Sequence, residues 1–163
     1  MSAVDVMPEH EIVYRTRALL ADNGIVGFRV AMSGRMTRTF GLCDFAKREI
    51  RISRKLAAIN DRAVVEDVIR HEVAHALAGP GSGHGPRWRD ACRVTGAQVR
   101  ACIDASEIAT VPRDYRFKAT CEECGERVGQ RRKAPDEFRT YTHVARYCKA
   151  GGGNVRWTDT KGA

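Results

Sequence analysis

Hydrophobic and polar positions change period several times along this chain, and each change marks an element. Residues 8 to 22 have the helical pattern, opening with Pro8, Glu9 and Glu11 and closing at Asp22-Asn23-Gly24, a good C-terminal stop. From Val26 the period is two: Val26, Phe28, Val30 and Met32 alternate with other residues, which predicts a strand, and Ser33-Gly34 turns into a second run at 37 to 43. Ile50 and Ile52 alternate again. Three short strands joined by a few turn residues predict an antiparallel meander lying against the first helix and the next one. In that next helix Val64, Val68, His71 and His75 share a stripe, with Val65, Ile69, Val73, Ala76 and Leu77 beside it. Asn60 or Asp61 is placed to cap its start, and Gly79-Pro80-Gly81 stops it. Residues 86 to 94 and 97 to 105 read as two further short helices, Pro86 suiting a first turn. Periodicity fails near 106 to 115, at Thr110, Pro112 and Asp114, which predicts a linker. The expected organisation is α+β: a core domain over 1–109 and a small domain over 110–163.

The helix after residue 61 carries His71-Glu72-Val73-Ala74-His75, which spells H-E-x-x-H. Two residues four apart stack on one helical face, so both imidazoles can reach a single metal ion. Glu72, next to the first histidine, lies beside that point without being a ligand, so it can accept a proton from a metal-bound water. The pattern predicts metal-assisted hydrolysis, with Glu72 as general base. Catalytic zinc usually takes three protein ligands. Ala78 and Gly81 stand where a metzincin has glycine and histidine, which excludes that subclass. His84 is the leading candidate for the third ligand, because Gly79-Pro80-Gly81-Ser82-Gly83 can fold the chain back beneath the helix; Glu107 is the alternative.

Those residues also carry a resemblance. HEVAHA, a short glycine-rich gap and then HGPRWR resemble the SprT-like zinc metalloproteases, the family that includes the Spartan proteases acting on DNA-protein crosslinks. Gly41-Leu42-Cys43 followed by Glu49-Ile50-Arg51-Ile52-Ser53 resembles the strand pair before that family's metal helix, and Val94-Thr95-Gly96-Ala97 the segment after it. The similarity spans roughly residues 10 to 160. It implies a zincin-like core, a catalytic zinc and protein substrates that are associated with or crosslinked to DNA.

Charge and cysteine usage change the picture of the tail. The 163 residues carry 28 basic and 20 acidic side chains, a net of +8, and from residue 110 onward the counts are 12 and 7. A basic balance favours polyanions, meaning nucleic acid or an anionic membrane surface, and with the resemblance DNA becomes the expected partner. No apolar run approaches a membrane span and the N-terminus has no signal-peptide pattern, so a cytoplasmic location without membrane contact is expected. Six cysteines in that setting read as metal ligands and buried thiols; Cys43, Cys92 and Cys102 stand alone as apolar filling. Cys121-Glu122-Glu123-Cys124-Gly125 is a C-x-x-C knuckle, and His143 with Cys148 can complete a second, structural zinc site in a ribbon-like fold. The resembled family's usual ribbon has four cysteines, whereas Gly151 stands where the fourth would follow Cys148. Basic residues interleaved with Tyr115, Phe117, Tyr141, Tyr147 and Trp157 suit a nucleic-acid surface. The leading expectation is a zinc-dependent endopeptidase. The alternatives are an inactive zinc-ribbon DNA-binding or scaffolding protein and a regulatory peptidase that cleaves a repressor.

Overall fold

In a computed structural model of the protein, residues 5–101, 106–112, 115–133, 148 and 150–161 are described, together with the backbone of 142 and 143. The chain divides into two units, Met1–Val111 and Pro112–Ala163. In the first, helix α1 (Glu9–Asp22) is followed by strands β1 (Arg29–Ser33), β2 (Gly41–Asp44) and β3 (Glu49–Ser53), then helices α2 (Arg54–Ala57), α3 (Arg62–Ala78) and α4 (Pro86–Thr95).

The three strands form a mixed sheet of order β1-β3-β2, which corrects the expected antiparallel meander. β1 runs parallel to β3, with Val30 opposite Ile50 and Met32 opposite Ile52; β2 runs antiparallel to β3 on its other side. The physical reason is burial. β3 carries two fully buried isoleucines, Ile50 and Ile52, so it takes the centre, while β2 with its exposed Leu42 takes the edge. The loop after β1 passes β3 and is tied to it: Ser53 N–H donates to the Phe40 carbonyl at 2.7 Å and Ser53 Oγ to that of Met36 at 2.7 Å. Alternation in the sequence reveals strands but not their neighbours.

α3 lies between two apolar clusters. On one side Ile12 and Leu20 of α1, Val30, Ile50 and Ile52 of the sheet and Leu56 of α2 pack with Val65, Val68, Ile69 and Val73. Each fully buried isoleucine or valine there contributes about 1.5–3 kcal/mol of transfer free energy. On the other side Ala74 and Ala78 meet Trp88, Ala91, Cys92 and Ala97 of the α4 segment. Small residues on α3 let α4 approach closely.

Two further expectations are corrected. Asn60 does not cap α3: its amide donates to the carbonyls of Leu56 and Ala109, and its Oδ1 accepts from Ala109 N–H. Asp61 occupies the cap position, but its carboxylate accepts from Asp5 N–H instead. The helix expected at 97–105 is absent over the described residues 97–101. Gly96 in the left-handed region ends α4, and Gln98 N–H turns back to Asp67 Oδ1 at 2.8 Å. Residues 102–105 lie outside the described residues. The short α2 is an element the periodicity did not show; Ser53 Oγ caps it by accepting from Leu56 N–H.

The second unit holds β4 (Phe117–Cys121), β5 (Arg127–Arg131), β6 (Thr142–His143) and β7 (Gly153–Asp159) in a sheet of order β5-β4-β7-β6, with antiparallel pairing throughout. Its buried apolar residues are few: Ala119, Cys121 and Cys148 among the described residues. Among the described residues no helix is long and apolar enough to cross a membrane.

Candidate metal centre and catalytic cleft

α3 continues through residues 71 to 78 because Val73, Ala74, Ala76 and Leu77 keep its inward face apolar, and it ends where Gly79 takes φ 83 and donates its N–H to the His75 carbonyl. The chain then turns tightly: Ser82 Oγ donates to the Gly79 carbonyl at 2.7 Å and Gly85 N–H to the Ser82 carbonyl at 3.0 Å. That turn returns His84 to the two helical histidines. The Nε2 atoms of His71 and His75 are 3.2 Å apart, those of His75 and His84 3.2 Å, and those of His84 and His71 3.3 Å. Four ligands placed tetrahedrally around zinc at ordinary Zn–N distances are separated by about 3.3 Å. The donor set fits the ion. Burial, with the neighbouring imidazoles second, pushes His71 and His75 down to about 4, so both are neutral at ordinary pH, the form that binds metal.

Trp88 packs against this group. Its ring centroid lies 4.9, 5.5 and 4.6 Å from those of His71, His75 and His84, and the residue is 1% exposed. Its indole N–H has no hydrogen-bond partner among the described residues. Glu72 is buried beside the histidines and accepts the backbone N–H of Cys43; burial pushes its carboxyl up to about 7, partly offset by that hydrogen bond. His71, Glu72, His75 and His84 all open into one cavity of about 450 Å³, whose wall includes Phe40, Gly41, Leu42, Cys43 and Phe45. The Cys43 thiol is pushed up to about 12, by burial and then by the Glu72 and Asp44 carboxylates, so it stays protonated. Glu107, the other candidate ligand, instead pairs with Arg100 at 2.6 Å and does not join the histidines.

The family model described as SprT-like family matches residues 11–110. The chain belongs to the SprT-like family. The matched span is more than half the chain and contains α1 from Glu11 onward, α2 to α4, the three-stranded sheet and His71, Glu72, His75 and His84. SprT-like membership supports a zinc metallopeptidase-like function for this first unit. No curated protein matches the chain.

A second group lies beyond the SprT-like match. The Sγ atoms of Cys121, Cys124 and Cys148 lie within 4.8 Å of one another, with Cys121 and Cys148 3.7 Å apart. Thiolates held tetrahedrally on zinc are separated by about 3.8 Å. Two similar turns present them: Gly125 N–H donates to the Cys121 carbonyl and Gly151 N–H to that of Cys148, both at 3.0 Å, with positive φ at each glycine. Burial opposes ionisation of Cys148, but the N–H groups of Ala150 and Gly152 and the two other thiols outweigh it and lower its pKa. The side chain of His143 lies outside the described residues; its backbone pairs with Gly153.

The residues that sequence reasoning did not assign are Trp88 and the Gly41 to Cys43 backbone. Trp88 had a signal, an aromatic in the otherwise polar first turn of the α4 segment. The strand contact had none, because it joins residues about thirty positions apart.

Proposed function

We propose that the protein is a zinc-dependent endopeptidase acting on DNA-associated or DNA-crosslinked proteins, with His71, His75 and His84 as the metal ligands and Glu72 as the general base. The observation that carries this reading is the convergence of three Nε2 atoms at 3.2–3.3 Å in the same cavity as the Glu72 carboxylate. Zinc bound there would polarise the scissile carbonyl and acidify the attacking water. Glu72 takes a proton from that water as the new carbon–oxygen bond forms. It delivers the proton to the departing nitrogen as the carbon–nitrogen bond breaks, leaving a carboxylic acid and an amine, which at neutral pH exchange a proton to become carboxylate and ammonium. A site that only held structure together would have no use for this carboxylate. Its presence favours the enzyme over an inactive scaffold.

The DNA part of the proposal rests on charge. Arg116, Lys118, Arg127, Arg131, Arg132, Lys133 and Arg156 are all exposed on the small second unit. Two arginines cover its half-buried rings, Arg116 over Phe117 at 5.2 Å and Arg131 over Trp157 at 5.3 Å. Cations beside rings suit phosphates and unpaired bases. Cys121, Cys124, His143 and Cys148 are the proposed structural zinc ligands of this unit. For the fourth the support is the sequence, with the backbone of His143 paired to that of Gly153.

Purified protein should cleave a DNA-bound basic protein when zinc and DNA are both supplied, and fail when a chelator removes zinc. Absence of cleavage with zinc and DNA both present, across several basic proteins, rejects the peptidase. Cleavage indifferent to DNA rejects only the DNA part.

A further inference from the structure

Within the cleft the helix that carries Glu72 closely approaches the sheet edge. β2 is an edge strand, paired with β3 on one side only, and α3 packs against it. At Gly41 a Cβ would stand 2.5 Å from both Cγ and Oε1 of Glu72 and 2.7 Å from its Cδ. Ordinary contact begins about an ångström further out. Gly41 is not among the residues with positive φ, so backbone conformation does not call for glycine here. Space does. Two residues along the same strand, Cys43 N–H donates to the Glu72 carboxylate.

From these contacts we infer that Gly41 is a positioning residue for Glu72: β2 offers the carboxylate a seat of bare backbone at 41 and an N–H at 43, and any side chain at 41 would displace it. Glu72 is 7% exposed, so it has little room to move elsewhere. A methyl group at 41 meets Cγ and Cδ of Glu72 as well as an oxygen, so rotation of the carboxylate about its last bond cannot relieve the clash. The whole side chain must shift, away from the Cys43 N–H. Displacement of a reacting group by about 1 Å costs on the order of a hundredfold in rate. The catalytic part of this inference rests on the general-base reading of Glu72. The steric part does not.

The test is a double-mutant cycle in the full-length chain, combining Gly41→Ala with Glu72→Ala. Zinc content, melting temperature, and kcat and KM on a DNA-bound histone are measured for all four proteins. In the Glu72 background Gly41→Ala should lower kcat about a hundredfold with KM and zinc content unchanged, and lower Tm by roughly 4 °C or more, the signature of overpacking. In the Glu72→Ala background the clash is gone, so Gly41→Ala should change neither the Tm nor the residual turnover. An equal loss of Tm in both backgrounds, or an unchanged kcat in Gly41→Ala, overturns the inference. Should Gly41→Ala fail to fold, the double variant decides: recovery of its fold supports the seat, and continued failure rejects it. If Glu72→Ala keeps full turnover, or the native chain cleaves nothing, the peptidase reading fails and the Tm cycle alone still decides the seat.

Discussion

At the scale of single residues, the proposed function gives the three histidines and Glu72 separable duties. Glu72→Gln keeps size and removes basicity, so zinc content should stay at the native level while turnover drops by at least about a hundredfold, the lower end of general-base contributions. Full activity in that variant would reject the mechanism. His84→Ala acts on the metal instead. With two helical imidazoles remaining, zinc occupancy of this site should fall clearly in metal analysis, whereas Glu107→Ala should leave it unchanged because Glu107 is engaged with Arg100. The reverse pattern would make Glu107 the ligand. His71, Glu72 and His75 are legible in the sequence because helix geometry alone puts residues four apart on one face. His84 is legible because a glycine-rich gap of that length can only turn back or leave. The Gly41 and Cys43 contacts are not legible, since nothing local says which backbone will lie against Glu72.

Among the elements, α3 was readable in type and extent from its stripe, but its surroundings were not. Strand order depended on which strand buries most, and that is decided by comparing Ile50 and Ile52 with Leu42 once all three are in place. The junction of α1 with the start of α3 shows the same limit. Glu11 accepts from Arg15 at 2.8 Å and from Arg62, while Arg15 also reaches Glu66 at 3.3 Å. Arg62 and then Arg15 hold the Glu11 carboxyl down to about 2, against 4.5 unperturbed. A carboxylate whose folded pKa is depressed stabilises the fold fully above its unfolded value, and loses that contribution as pH falls from about 4.5 towards 2. Exposed ion pairs contribute little singly, so the effect belongs to the network. Melting temperatures of the native chain and Glu11→Gln should therefore differ at pH 6 and converge as pH falls below 4.5. A difference that stays constant from pH 6 to pH 3 would show that the arginines do not sense the charge.

For the whole molecule the question is what the second unit adds. Its described core is small, and units of this size are commonly held by a metal or by disulfides. If both ligand groups bind zinc, the intact chain should hold two ions and a chain ending at Val111 one. The cut belongs after Val111, because Asn60 is bonded twice to Ala109 and Val111 packs on the first core cluster. A stoichiometry of one for the intact protein would reject the cysteine-group zinc. The same truncation tests the division of labour. On the proposed function, cleavage would gain selectivity where a nucleic acid gathers enzyme and substrate together, and the exposed cations of the second unit are suited to that gathering. Each phosphate neutralised releases condensed counterions, so log affinity should fall with log salt by about 0.7–0.9 per contact. Removing residues 112–163 should leave the His71, His75 and His84 zinc in place but abolish most DNA binding, its salt dependence and the DNA stimulation of proteolysis. The decisive comparison is DNA affinity of the two chains at low and moderate salt. Equal affinities would move the nucleic-acid surface to the first unit, and affinity indifferent to salt would show that phosphate contacts do not drive the binding.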